Sequence, residues 1–66
     1  MCLVKLAFDE DAADQGPVTD IVNVEVDNDD ITVTTLFGES LRFRNLCIRR
    51  VDLAGATVHL GRRAQS

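Results

Sequence analysis

The chain has 66 residues, a formal net charge of −4, two Cys, three Phe and no Trp or Tyr. A domain of this length buries only about 60% of the surface its unfolded chain exposes, so a single domain held by a metal or a second subunit, most simply a twofold homodimer, is expected. No apolar run approaches the ~20 residues of a membrane span, the start lacks the pattern of a signal peptide, and the acidic total disfavours a nucleic-acid partner; the reading is a cytoplasmic protein whose cysteines are thiols.

The pattern is β almost throughout. Residues 2–8 alternate, with Cys2, Val4, Leu6 and Phe8 on the side expected to face the core. Asp9–Pro17 is acidic, ends in Gly-Pro and reads as a loop. Val18–Asp27 is a half-buried strand carrying Ile21, Val22, Val24 and Val26, and Asn28-Asp29 turns it into Ile31–Phe37, a run rich in β-branched residues. Gly38-Glu39 is the next turn. Leu41 and Phe43 alternate with Arg42 and Arg44, Asn45 interrupts, and Leu46–Leu53 is a further strand. Ala54-Gly55 turns into Ala56–Leu60, Gly61 ends the order, and residues 62–66 form a flexible tail behind one domain spanning 1–61. No segment carries a helical apolar stripe. Five or six short strands joined by tight turns predict an all-β fold: a small, strongly bent antiparallel sheet or partial barrel of the SH3-like or Sm-like kind.

Charge is divided along the chain. Residues 1–33 carry Lys5 against nine carboxylates, and residues 34–66 carry six Arg against Glu39 and Asp52. These charges either line solvated faces or orient a second subunit or partner.

One position carries chemistry. Cys2 follows Met1, so the α-amino group, the amide nitrogen of Cys2 and its thiolate can close two fused five-membered chelate rings. If Met1 is removed, the amine and thiol of Cys2 still close one. A planar N/S donor set suits a square-planar ion, Ni(II) or Cu(II), and a thiolate in a reducing compartment favours Ni(II). Zinc prefers four tetrahedral N/S ligands, which this chain does not place nearby. Two Cys2 residues meeting near a dimer dyad would complete the ligand count. The alternative is that Cys2 is a small hydrophobe of the first strand.

Other candidates are weaker. Cys47, between Leu46 and Ile48, reads as a buried core thiol. His59, between Val58 and Leu60, faces solvent or a neighbouring subunit if those two face the core; its imidazole is chemically suited to Ni(II). The acids Asp9, Glu10, Asp11 and Asp14 lack the spacing, central Gly and final Glu of a calcium loop. The Arg pairs lack interleaved exposed aromatics for stacking bases, and no nucleophile–base pair or phosphate loop supports catalysis.

Laid out in this way, the chain resembles the CooT family of nickel-binding proteins, accessory proteins of carbon monoxide dehydrogenase maturation. The resemblance runs from Met1 to about Leu60. It rests on the Met1-Cys2 start, the segment from Asp20 through Ile21, Val22, Asn23, Val24, Glu25 and Val26 with its turn, Leu36-Phe37-Gly38-Glu39, and Ile48 through Leu53. It implies a β homodimer that binds Ni(II) through Cys2, with no enzymatic activity of its own and a nickel-insertion apparatus as partner. Cys47 and His59 lie outside the pattern. The other readings are an Sm-like RNA-binding module and a metal-free protein-interaction module.

Overall fold

The computed structural model describes residues 3–12 and 16–63, and forms one six-stranded, all-β sheet. The strands are β1 (Val4–Phe8), β2 (Val18–Asp27), β3 (Asp30–Thr35), β4 (Ser40–Arg44), β5 (Leu46–Asp52) and β6 (Thr57–Arg62), in the order β4-β3-β2-β1-β6-β5. All pairs are antiparallel except β1 and β6, which run parallel. The expected all-antiparallel sheet is corrected there. β6 returns to β1 only after the excursion through β2–β5, and a long connection permits parallel pairing. Among the described residues no helix is long and apolar enough to cross a membrane.

The sheet is rolled but not closed. β1 and β4 are three strands apart, roughly 14 Å on a flat sheet at the usual interstrand spacing. Yet the rings of Phe8 and Phe43 lie 5.4 Å apart, tilted at 59°. The roll also brings the β2–β3 turn to the far end of β6: Asn45 N–H donates to Asp29 C=O at 3.0 Å, and Arg63 N–H donates to Asn45 C=O at 2.7 Å. The core inside the roll comprises Leu6, Ile21, Ile31, Val33, Leu46, Val58 and Leu60, with Val4, Phe8, Val18, Val24 and Phe43 packed around it.

Two bulges set which side chains reach this core. Ile21 pairs with Thr35 but Asn23 with Thr34, so Val22 is an extra residue on β2. It shifts the alternation by one. Ile21, Val24 and Val26 then share the face of Thr35, Val33 and Ile31, where Ile21 is buried and Val24 packs against the core while Val26, near the hairpin end, stays exposed; Val22 on the bulge is exposed too. In β5, Ile48 pairs with Leu60 but Arg50 with His59, which makes Arg49 the extra residue.

Three boundaries differ from the sequence reading. β3 ends at Thr35, not Phe37. The Thr35 hydroxyl accepts from the N–H groups of Phe37 and Glu39, both at 3.3 Å, drawing Leu36 and Phe37 into the turn that Gly38 completes at φ 87°. The acidic loop contains a short 3₁₀ turn, Glu10–Ala12, which delivers Ala12 fully buried into the core. Gly61 does not end the last strand. It pairs with Cys47, is buried, and lies under Arg49, whose Nε is 2.5 Å from where a Cβ would stand.

Candidate functional site

Met1 and Cys2 lie outside the described residues, so the geometry on the page is that of the chain they lead into. Leu3 precedes β1. Val4 pairs with Ile21 on one side, and Lys5 N–H donates to Ala56 C=O at 3.0 Å on the other. The first strand is thus held to the sheet from its first residues.

Two non-glycine residues in the left-handed region flank this start. Asp20 (φ 61°) turns its carbonyl to accept from Leu36 N–H at 2.7 Å, and Ala56 (φ 48°) closes the β5–β6 turn, its N–H reaching Leu53 C=O at 3.2 Å. Asp tolerates this conformation through its short polar side chain, whereas Ala does not. Between them runs a shallow groove of about 260 Å³, lined by Leu3, Lys5, Thr19, Asp20, Gly55 and Ala56. The start of β1 is therefore bracketed by the β3–β4 turn, through Asp20, and by the β5–β6 turn, through Ala56.

The other candidates are placed as follows. Cys47 is a free thiol, half-buried rather than a core residue. The core-facing register at this point belongs to Ile48, paired with Leu60, and Cys47 sits opposite Gly61 on the outer face. His59 does lie between two buried neighbours, Val58 and Leu60, on the outer face. Its Nε2 is 3.0 Å from an Arg50 guanidinium nitrogen. Because guanidinium only donates, Nε2 accepts and the imidazole is the Nδ1–H tautomer. A ring nitrogen already facing a cation is a poor seat for a second one.

In the acidic segment, Asp9 is compensated. Asp9 lies 3.6 Å from Arg49 and its N–H donates to Leu60 C=O. Asp14 lies outside the described residues. Among the described residues no three His, Cys, Asp or Glu side chains are grouped as a metal site.

The division of charge is met in part within one subunit. Arg42 pairs with Asp30 (2.7 Å), Arg63 with Asp29 (2.9 Å) and Arg49 with Asp9 (3.6 Å). Each pair joins an acid of the first half to an arginine of the second. All are partly exposed, so each contributes only about 0–1 kcal/mol; they match the halves of the chain more than they stabilise it. Lys5, Asp20 and Glu39 take part in no ion pair among the described residues.

Sequence reasoning missed the placement of Leu36, Phe37, Leu53 and Val22. All four are exposed: Leu53 at 86% and Phe37 at 75% of their full surface, Leu36 and Val22 at just under half. The signal available was two bulky residues directly before Gly38 and one directly before Ala54-Gly55, since turn residues cannot be covered by their own sheet.

Compared with known proteins, the chain matches no protein-family model, and no curated protein is similar to it.

Proposed function

We propose that this protein is a nickel-binding accessory protein, not an enzyme, that carries Ni(II) as cargo on its Met1–Cys2 terminus and passes it to the apparatus that builds the nickel-containing site of carbon monoxide dehydrogenase. It would work in the cytoplasm as a homodimer. The observation that carries this reading is the cysteine directly after Met1, whose thiolate, amide nitrogen and neighbouring amine make a planar N/S set of the right chemistry. Loading such a set requires the thiol, the ammonium and the amide to lose protons, so affinity rises with pH and binding releases protons. A terminal chelate leaves coordination positions open, and open coordination favours hand-over above permanent storage. The engagement of His59 with Arg50 supports a site that does not depend on His59.

The test is a Ni(II) titration of the untagged protein against Cys2→Ala, followed by the thiolate-to-nickel charge-transfer absorption. Wild type should show the band and bind about one nickel per dimer. A Cys2→Ala variant that binds nickel as tightly ends the reading. The RNA-binding reading has less support, because Arg42, Arg49 and Arg63 each have a carboxylate partner.

A further inference from the structure

The sheet has two free edges, and the chain makes them neighbours. β4 and β5 are the outermost strands, yet only Asn45, at φ 61°, separates them. They leave this corner as the two arms of a wedge and do not pair with each other. Exposure shows how the wedge opens. Along β5 the core-facing residues Leu46, Ile48 and Val51 are 4%, 40% and 51% exposed; along β4 Phe43 packs against the core, while Leu41, the partner of buried Val33, is 38% exposed. Away from Asn45 the inner layer of the roll is therefore open between Leu41 on one arm and Ile48 and Val51 on the other. The β4 edge also has backbone groups to offer. Thr35 N–H donates to Glu39 C=O and Asn45 N–H to Asp29 C=O, at the two ends of the β3–β4 ladder. Antiparallel alternation then makes Leu41 and Phe43 the bonded positions, and turns the N–H and C=O groups of Ser40, Arg42 and Arg44 away from β3.

We infer that the β4 edge takes up an extended, acidic segment of another protein as a seventh strand, with acids and apolar residues alternating along it. The inference does not rest on the nickel reading. Three observations name this occupant. The free N–H and C=O groups on alternate residues of β4 are what an added strand pairs with. Residues opposite Arg42 and Arg44 would share their outer face, and the residues between would turn inward onto Leu41, Ile48 and Val51. Charge selects acids for the outer set. The chain is acidic overall, but residues 40–53 carry Arg42, Arg44, Arg49 and Arg50 against Asp52 alone. Asp30 meets Arg42 and Asp9 meets Arg49, whereas Arg44 and Arg50 have no carboxylate partner among the described residues. β4 is the receiving edge because β5 is interrupted by its bulge at Arg49, a feature that ends regular pairing. A second copy of β4 fits poorly, since antiparallel pairing would set arginine against arginine.

The probe is a fluorescein-labelled synthetic peptide alternating Glu with Val, about six residues long, the length of an ordinary strand. Its binding to the full chain is read by fluorescence anisotropy in a chelator, and amide hydrogen exchange of the saturated complex is read by nuclear magnetic resonance. Three comparisons accompany it: the same composition with all Glu at one end, the alternating peptide N-methylated on the amides that would face β4, and the protein variants Arg44→Gln and Lys5→Gln. Arg44 and Lys5 are both exposed, so each variant should fold, and the two make the same charge change at different places. The alternating peptide should bind and slow exchange at Arg42 and Arg44. Arg44→Gln should weaken it about two- to fivefold, as for loss of a cross-strand charge pair, and Lys5→Gln should leave it unchanged. N-methylation should weaken it at least about tenfold, through the loss of several main-chain hydrogen bonds. No binding at millimolar peptide overturns the inference. So does equal binding of the blocked or N-methylated peptide, equal weakening by Lys5→Gln, or protection that appears on β5 and not on β4. Protection of Arg42 and Arg44 that grows with protein concentration alone assigns the edge to a second copy and overturns it too. The chelator keeps every one of these outcomes separate from the nickel titration.

Discussion

Gly61 and Arg49 offer the sharpest test of how the fold is held. Arg49 is the bulge residue of β5, and its guanidinium crosses Gly61, donates to Arg62 C=O at 2.8 Å and reaches Asp9 at 3.6 Å. A Cβ on Gly61 would stand 2.5 Å from Arg49 Nε and 2.9 Å from its Cγ, so Gly61→Ala must expel the side chain. The loss is one partly exposed hydrogen bond and one partly exposed ion pair, together about 1–2 kcal/mol. Against it stands the ordinary gain of Ala over Gly in a strand, about 0.5–1 kcal/mol, since Gly61 is not among the positive-φ residues. The net expectation in wild type is a destabilisation of up to about 1 kcal/mol, or a fall in melting temperature of several degrees for a domain this size. In an Arg49→Ala background the clash is gone, and Gly61→Ala should become stabilising. Urea denaturation of the four proteins of this cycle measures the coupling. Additive effects would refute the argument that Gly61 is kept small for Arg49.

Other expectations follow from single positions. Ala56 holds φ 48° with a Cβ, so Ala56→Gly should raise the urea midpoint, by up to about 1 kcal/mol in stability; an unchanged or lower midpoint would show that the turn carries no strain. Leu6 is 1% exposed at the centre of the core, so Leu6→Ala should cost about 2–5 kcal/mol and leave so small a domain largely unfolded by circular dichroism at 25 °C. Neither His59→Ala nor Cys47→Ser should alter nickel stoichiometry in the titration, because His59 faces Arg50 and Cys47 sits opposite Gly61 on the outer face; a halved stoichiometry in either would reinstate that residue as a ligand.

The strands could be read from the sequence because alternation and turn chemistry agreed. Asn28 and Asn45 both adopt the left-handed region where the chain turns or breaks, as their residue type predicts. Boundaries moved where side-chain bonding intervened: Thr35 captures two amides ahead of it and removes Leu36 and Phe37 from β3. The parity of β2 was not legible, since Val22, Val24 and Val26 alternate perfectly and only the Ile21-Val22 doublet hints at a bulge. Nor was the role of Gly61, which depends on a bulged Arg49 twelve residues away in sequence. Cys2 stays a candidate on its chemistry alone, while the groove at the start of β1 is formed by Asp20, Lys5 and two turns, residues with no motif of their own.

The architecture gives a reason why a chelate of this kind belongs at the extreme terminus. A backbone amide can become a metal ligand only by surrendering its proton, and an amide committed to a ladder is not free to do so. In β1 that commitment is made early: Lys5 N–H serves Ala56, and Val4 is already in register with Ile21. An N/S set that uses a main-chain nitrogen must therefore precede Val4. A thiol two positions later, at Val4, would face the core beside Leu6 and Phe8 and lose its access to a labile ion. A cysteine at position 2 precedes Val4 in the chain, as this requirement demands. Moving the cysteine tests this: Cys2→Val with Val4→Cys keeps both residue types and the apolar count. It should abolish the nickel charge-transfer band while preserving the β circular dichroism, and a retained band would show that the thiol alone, without the terminal amine and amide, suffices.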